Sequence, residues 1–133
     1  MPEETDTQRA LLAELGRRTD VCWVRVGAVT QAVWHAWVEA DGAGALAVVS
    51  GGEEQPFPAV ADGGRVEVVM RSKDTGGRVL VWDGLARVVR PGDAWWEPSV
   101  AALVARRLNL RDPDTAPGRW AEGSVVRRIV PVD

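Results

Sequence analysis

Hydrophobic and polar residues alternate over much of this chain, and a period of two residues is typical of half-buried β-strands. The alternation predicts strands at Val21–Val29, Gln31–Ala40, Arg65–Met70 and Arg78–Val89. Ala45–Val49 is apolar throughout, which predicts a central strand, and a last strand is predicted at Ser124–Val130. Asp41-Gly42 and Asp74-Thr75-Gly76-Gly77 are tight-turn signals, so the strands on either side of each are expected to pair as antiparallel hairpins.

Two other segments show the spacing of an amphipathic helix. Thr7–Arg18 places its three leucines on one face, and a second helix is predicted from the break at Pro91-Gly92-Asp93 to about Leu108. Residues 1–6 are polar and are predicted to be a disordered lead-in. The polar, proline-bearing segment Arg111–Gly118 is predicted to be a loop.

These elements predict one domain over residues 1–133, because no repeat or linker divides the chain. Its fold class is mainly β with flanking helices (α+β). Strands at hairpin spacing favour a six-stranded, mainly antiparallel β-barrel, since closing a sheet removes its exposed edges. Gly84 lies within a predicted strand, which indicates either a bulge or the close approach of a neighbouring group.

Composition narrows the classes of partner. The net charge is −3 at pH 7, which argues against nucleic acid as a partner, because phosphate backbones are bound by concentrated basic surfaces. The single cysteine excludes an internal disulfide and favours a reducing, cytoplasmic location. The acidic N-terminus lacks the features of a signal peptide, and no apolar stretch is long enough to span a bilayer.

Cys22 and His35 are the only thiol and the only imidazole in the chain. A cysteine beside a histidine can act as a thiolate nucleophile. No motif orients this pair, so a buried apolar cysteine and a structural histidine are the favoured interpretation. A structural zinc site needs about four nitrogen or sulfur ligands, so no metal site is predicted.

A basic cluster stands where one predicted strand ends, at Arg71, Ser72 and Lys73. Alternation places Arg71 and Lys73 on the same face, with Ser72 opposite. Two cations near backbone amides can hold a phosphate group. The alternative is a solvated strand end beside a hairpin, and the residues alone leave both interpretations open.

Several stretches carry a family resemblance. The hairpin Ala32–Gly44 is followed by the strand Ala45–Gly51, and Arg78–Ala86 is similar to a strand of the pattern basic-x-Val-x-x-x-Gly-x-Ala. With the order of elements, these stretches resemble the pyridoxamine 5'-phosphate oxidase-like, FMN-binding split-barrel family. Arg106-Arg107-Leu108-Asn109 and Arg119-Trp120 look like its small actinobacterial members.

The resemblance implies a homodimer with FMN bound at the subunit interface. It implies that the flavin ring lies against strands corresponding to Val33–Trp37 and Val48–Ser50, which places Trp34 and Ser50 beside the ring. Family members hold the phosphate with a basic residue in the next loop, but here that loop is acidic, Gly51-Gly52-Glu53-Glu54-Gln55. The predicted phosphate site is therefore the basic cluster, with the loop alongside. The complete set of predicted site residues is Trp34, Ser50, Gly51, Gln55, Arg71, Ser72 and Lys73.

Three functions remain open from the sequence. The first is an oxidoreductase that uses FMN or a deazaflavin on a small molecule, with the cofactor performing the redox chemistry. The second is a non-catalytic module that binds a small-molecule ligand. The third is a dimeric structural protein without a cofactor. The acidic loop favours the second and third functions, whereas the Arg71 and Lys73 cluster favours the first and second.

Overall fold

The computed structural model describes residues 2–72, 79–107 and 110–132. The described strands form one antiparallel sheet in the order β2-β1-β5-β6-β7-β4-β3. They are β1 (Val21–Val26), β2 (Val29–Trp34), β3 (Ala36–Ala40), β4 (Ala43–Ser50), β5 (Gly64–Arg71), β6 (Val79–Val89) and β7 (Val125–Pro131). The helices are α1 (Pro2–Arg18), α2 (Trp96–Arg106) and α3 (Ala116–Gly123), with a 3₁₀ turn at Pro113–Thr115 before α3.

The fold class agrees with the prediction, but the sheet has seven strands where six were expected. The predicted strand Gln31–Ala40 is divided at His35 into β2 and β3, which occupy opposite edges of the sheet. The amide of His35 donates at 2.9 Å to the carbonyl of Asp20, the residue before β1, so the pairing with β1 ends at the junction. Since one residue separates β2 from β3, the two sheet edges converge at His35, and the sheet curls into a split barrel.

Two helical predictions differ from the structure. Helix α1 begins at Pro2, so residues 2–6, which were predicted to be a disordered lead-in, continue the helix. The predicted loop Arg111–Gly118 contains the 3₁₀ turn and the start of α3. Burial explains α3, because Ala116 and Trp120 are 0% and 2% exposed, and tertiary packing outweighs a proline- and glycine-bearing sequence. Arg78, Leu108 and the predicted turn at 74–77 lie outside the described residues.

The strand Ala45–Val49 was predicted to be central. In the structure β4 is second from the edge, between β7 and β3. Residues 45–49 of β4 are nevertheless all completely buried, because the two faces of this strand belong to two different hydrophobic clusters. The uniformly apolar sequence of β4 thus indicates that both faces of the strand are buried, and it does not indicate the position of the strand in the sheet.

The inner cluster fills the barrel. It contains Leu12 and Leu15 of α1 and inward-facing residues of the sheet, namely Cys22, Val24, Val33, Leu46, Val48, Val66, Val68, Met70, Ala86 and Ile129. Gly84 lies against this cluster, where a Cβ would stand 2.7 Å from Ile129 Cγ2 and 2.8 Å from Trp82 Cζ3. The register of β6 with both neighbours is continuous, so this glycine serves close packing and forms no bulge.

The outer cluster covers only half of the barrel. Helices α2 and α3 pack Trp96, Val100, Leu103 and Trp120 on the outer face of β3, β4 and β7. No described helix covers the outer face of β1, β5 and β6 in this way, and Val21, Trp23, Val79 and Val81 are 44%, 38%, 46% and 52% exposed there. The register aligns Trp23, Val69 and Val81 in one row across these strands. We call this surface the open face.

No helix in the described part of the chain is both long enough and apolar enough to cross a membrane.

Candidate functional site

The side chain of Gln55 joins the loop after β4 to the end of β2. Its Oε1 accepts from the amide of Trp34 at 2.8 Å, and its Nε2 donates to the carbonyls of Trp34 at 2.9 Å and Val49 at 3.2 Å. These bonds replace the ladder bonds that Trp34 lacks where the sheet is split. Gln55 thereby fixes the loop beside Trp34, near the point where the sheet edges converge.

A pocket of about 420 Å³ opens beside Trp34. This volume lies within the usual range for small-ligand sites. Its lining consists of Asp20, Trp34, His35, Ala105, Arg106 and Arg107. The guanidinium of Arg107 stands 5.1 Å from the centroid of the Trp34 ring, which is the geometry of a cation–π contact. The pocket thus combines an aromatic surface with two arginines, a combination suited to a planar anion.

Each arginine of the pocket has an acidic partner. Arg106 lies 3.0 Å from the carboxylate of Asp20 and also donates to the carbonyl of Arg17. Arg107 lies 3.6 Å from Glu54, whose side chain is only 8% exposed. Glu53 pairs with Arg111 at 3.1 Å in an exposed position. Both carboxylates of the acidic loop are therefore balanced by arginines from the segment that follows α2, a pairing the sequence did not reveal.

The structure brings part of the predicted site together. Trp34, Gln55 and Gly51 are linked, because the Gly51 amide donates to the Gln55 carbonyl at 2.9 Å while the Gln55 side chain holds Trp34. Gly51 has a φ of +79°, which suits glycine. Ser50 is close in the chain, but it is 3% exposed and its hydroxyl accepts from Arg127 at 2.8 Å. The Ser50 hydroxyl is therefore engaged inside the barrel wall.

Arg71, the first residue of the predicted basic cluster, lies on the other side of Trp34. Val21 is directly opposite Trp34, and continuing the β1–β5 register by two residues places Arg71 opposite Val21. Strand spacing then puts the Cα atoms of Arg71 and Trp34 about 10 Å apart on the outer surface. Arg71 is exposed and Ser72 is buried, whereas Lys73 lies outside the described residues. Arg71 is thus within side-chain reach of a ligand that contacts Trp34.

Arg106 and Arg107 are the cations of the pocket, and sequence reasoning missed them because the helix dipole already explains cations at a helix end. Arg107 is the C-cap of α2, with φ −75° and ψ 115°, and its extended backbone ends the helix beside the β2–β3 junction. The sequence signals were the helix end itself and the resemblance noted for Arg106-Arg107-Leu108-Asn109. Contact with Trp34 depends on how α2 packs on the sheet.

Cys22 and His35 are buried and do not form a reactive pair. Burial raises the pKa of the Cys22 thiol to about 12, so it stays protonated at neutral pH. Burial, with a smaller contribution from the charge of Arg106, lowers the pKa of His35 to about 4, and Asp20 partly opposes the shift. The Nε2 of His35 lies 3.1 Å from the Thr19 hydroxyl. The structural interpretation of both residues is supported.

Comparison with known proteins identifies the fold. The sequence matches no protein-family model and no curated protein. Three solved structures are similar in fold. A conserved hypothetical protein of Mycobacterium tuberculosis aligns with a TM-score of 0.60 and 18% identity, over 93% of this chain and 80% of that one.

The second structure is HutZ, the heme storage protein of Vibrio cholerae, with a TM-score of 0.54 and 12% identity over 95% of this chain and 91% of that one. The third is a Listeria innocua protein described as a pyridoxamine 5'-phosphate oxidase, with a TM-score of 0.53 and 20% identity over 96% of this chain and 94% of that one. At these identities the likeness concerns the fold, and this chain has an α+β split-barrel fold.

Proposed function

We propose that this chain binds FMN in the pocket beside Trp34 and acts as a flavin-dependent oxidoreductase on a small molecule. The observation that carries the proposal is the pocket of about 420 Å³ in which an arginine stands over the Trp34 ring. It lies against β2, one of the two strands where the family resemblance implies a flavin ring. The Listeria neighbour described as a pyridoxamine 5'-phosphate oxidase supports the same class of ligand.

The residues present fit a flavin mononucleotide. Trp34 offers an aromatic edge for the ring, and Arg107 and Arg71 are the cations available to the phosphate, with the Gly51–Gln55 loop alongside. Arginine suits this role because its planar fork binds phosphate oxygens bidentately. When bound, FMN supplies the hydride or electron transfer, and the chain supplies binding, orientation and exclusion of water.

The chemistry of the pocket also favours a cofactor over side-chain catalysis. Asp20 is paired with Arg106, and His35 has a lowered pKa and is fully buried. A haem ligand role for His35 is not supported, because its ring is 0% exposed and offers no nitrogen to a bulky group at the surface. The storage function printed for the Vibrio neighbour is therefore not extended to this chain.

The test is whether the purified chain takes up FMN. We expect incubation with FMN and desalting to leave a yellow protein with flavin absorbance, and titration to quench flavin fluorescence. Riboflavin, which lacks the phosphate, and a deazaflavin serve as comparison ligands. Binding without reduction by any nicotinamide donor or oxidation by any acceptor would favour the non-catalytic ligand-binding module. If none of the three ligands bound, the cofactor-free structural protein would be the better description.

We further propose that the chain forms a homodimer through the open face. This surface carries exposed valines and Trp23 in neighbouring rows, and tryptophan is enriched at protein interfaces. Charged pairs border it, with Arg25 and Glu67 at 2.8 Å and Arg65 and Asp83 at 3.0 Å. An apolar centre with a polar rim is the usual arrangement of a contact surface. A second copy seated there would also lie beside Arg71 and Trp34.

Light scattering at micromolar concentration is expected to give twice the mass of one chain. Replacing Trp23 by glutamate places a charge in the centre of the open face, so we expect Trp23→Glu to shift the mass to that of a monomer while the far-UV spectrum is unchanged. Glu14→Gln, on the exposed side of α1, is the control and leaves the dimer intact. A monomeric wild type would contradict the proposal.

A further inference from the structure

The ion pair between the buried Glu54 and the partly exposed Arg107 is incompletely bonded. The Glu54 side chain is 8% exposed and that of Arg107 is 35% exposed, and their closest approach is 3.6 Å. Charge-assisted hydrogen bonds are normally about 2.7–2.9 Å long. Within the described residues, neither Glu54 Oε1 nor Arg107 Nε makes a hydrogen bond. The Glu54 carboxylate has thus been largely removed from water, while the facing Oε1 and Nε atoms lack the hydrogen bond that usually compensates for desolvation.

The pair stands between two cavities. Arg107 lines the pocket of about 420 Å³ beside Trp34, and Glu54 lines a smaller one of about 190 Å³ with Arg119, Trp120 and Ser124. Arg107 is held on its other side by the Trp34 ring. Glu54 belongs to a turn in which Gly51 and Gly52 both have positive φ. Its neighbour Glu53 is 75% exposed, so the same turn already places one carboxylate in water.

We propose that Glu54 is an internal competitor for the anion site, and that an anionic group of the ligand replaces its carboxylate on Arg107. The inference rests on the proposed function and names the specificity element of the same pocket. A phosphate offers Arg107 two oxygens in bidentate geometry, which the carboxylate at 3.6 Å does not. Glu54 then returns to water. A neutral ligand gains nothing from Arg107 and leaves the pair closed, so the pocket selects for charge.

The test compares two substitutions that change the net charge equally. Glu54→Gln removes the buried competitor, and Glu53→Gln removes the adjacent exposed carboxylate, which pairs with Arg111. We expect Glu54→Gln to tighten FMN binding about tenfold, because one opposing charge contact is lost. Glu53→Gln is expected to change it less than twofold. Riboflavin affinity is expected to be the same in all three proteins.

A second experiment uses inorganic phosphate and no flavin. NMR signals of the Arg107 Nε and the Trp34 indole report whether phosphate replaces the Glu54 carboxylate on Arg107, an event we call the exchange. We expect phosphate to perturb both signals at lower concentration in Glu54→Gln than in wild type. Equal gains in Glu53→Gln and Glu54→Gln, or an equal gain for riboflavin, would overturn the exchange. Glu54-dependent phosphate binding in a chain that binds no flavin would retain the exchange and remove only the proposed FMN function. Failure of both ligands in every variant would remove both proposals.

Discussion

Lowering the pH from 7.5 to 5 is expected to reduce the free energy of unfolding by about 2 kcal/mol through one residue, His35. Its pKa in the folded chain is about 4, below the usual value of 6.5. Between pH 6.5 and 4 the unfolded chain therefore protonates His35 while the folded chain does not. The free energy of unfolding falls as the pH drops below 6.5. Between pH 6.5 and 4, each pH unit changes the free energy of unfolding by about 1.36 kcal/mol, and the stabilisation from neutral His35 is fully present above pH 6.5. The cause is burial, since His35 is 0% exposed.

Because His35 is the only histidine in the chain, the measurement has a simple control. His35→Gln retains a polar group near Thr19 but does not titrate. Urea unfolding at several pH values between 7.5 and 5 is expected to give a slope in wild type and almost none in His35→Gln. Glu39 and Asp62 also have lowered pKa values, but these carboxylates affect the free energy of unfolding at more acidic pH, outside the range that is measured. An equal slope in both proteins would show that His35 is not the responsible group.

Removing the two cations beside Trp34 is expected to weaken FMN binding by about two orders of magnitude or more. A charge-assisted contact contributes roughly 1.5–3 kcal/mol, and Arg71 and Arg107 each contribute one in the proposed complex. The change is best made as Arg71→Ala with Arg107→Gln in a Glu54→Gln background, because Arg107→Gln alone would leave a buried carboxylate without its partner. Titration by flavin fluorescence compares the FMN affinity of this triple variant with that of Glu54→Gln alone.

Arg65→Ala is the matched control for this series. Arg65 lies on the same strand and the same exposed face as Arg71 but at the opposite end of β5, where it pairs with Asp83. We expect its FMN affinity to remain within twofold of wild type. Unchanged affinity in the Arg71 and Arg107 series would place the phosphate elsewhere, and Lys73, which adjoins Arg71 in the sequence, would be tested next. An equal loss in Arg65→Ala would indicate a general effect of charge.

Most of the strands, and the Asp41-Gly42 turn, were predictable because local chemistry specifies them. Polar and apolar residues alternate along β1, β5 and β6 because each of these strands has one buried and one exposed face. The Asp41-Gly42 turn has positive φ at both residues, 52° and 76°, and this pair favours that conformation by itself. The division at His35 was not predictable from the pattern. Apolar residues alternate straight through it, and only the pairing of β2 and β3 with different neighbours separates the two strands.

The candidate site divides in the same way. The sequence by itself determined that Trp34 and the Ser50–Gln55 loop belong to adjoining antiparallel segments, that the loop is acidic, and that a cationic residue stands at the strand end, at Arg71. Only the tertiary structure decided that Arg107 reaches Trp34, that Glu54 pairs with it, and that Gln55 closes the gap between β2 and β4. These contacts join residues far apart in the chain. Their geometry depends on how α2 packs against the curled sheet, which no local pattern encodes.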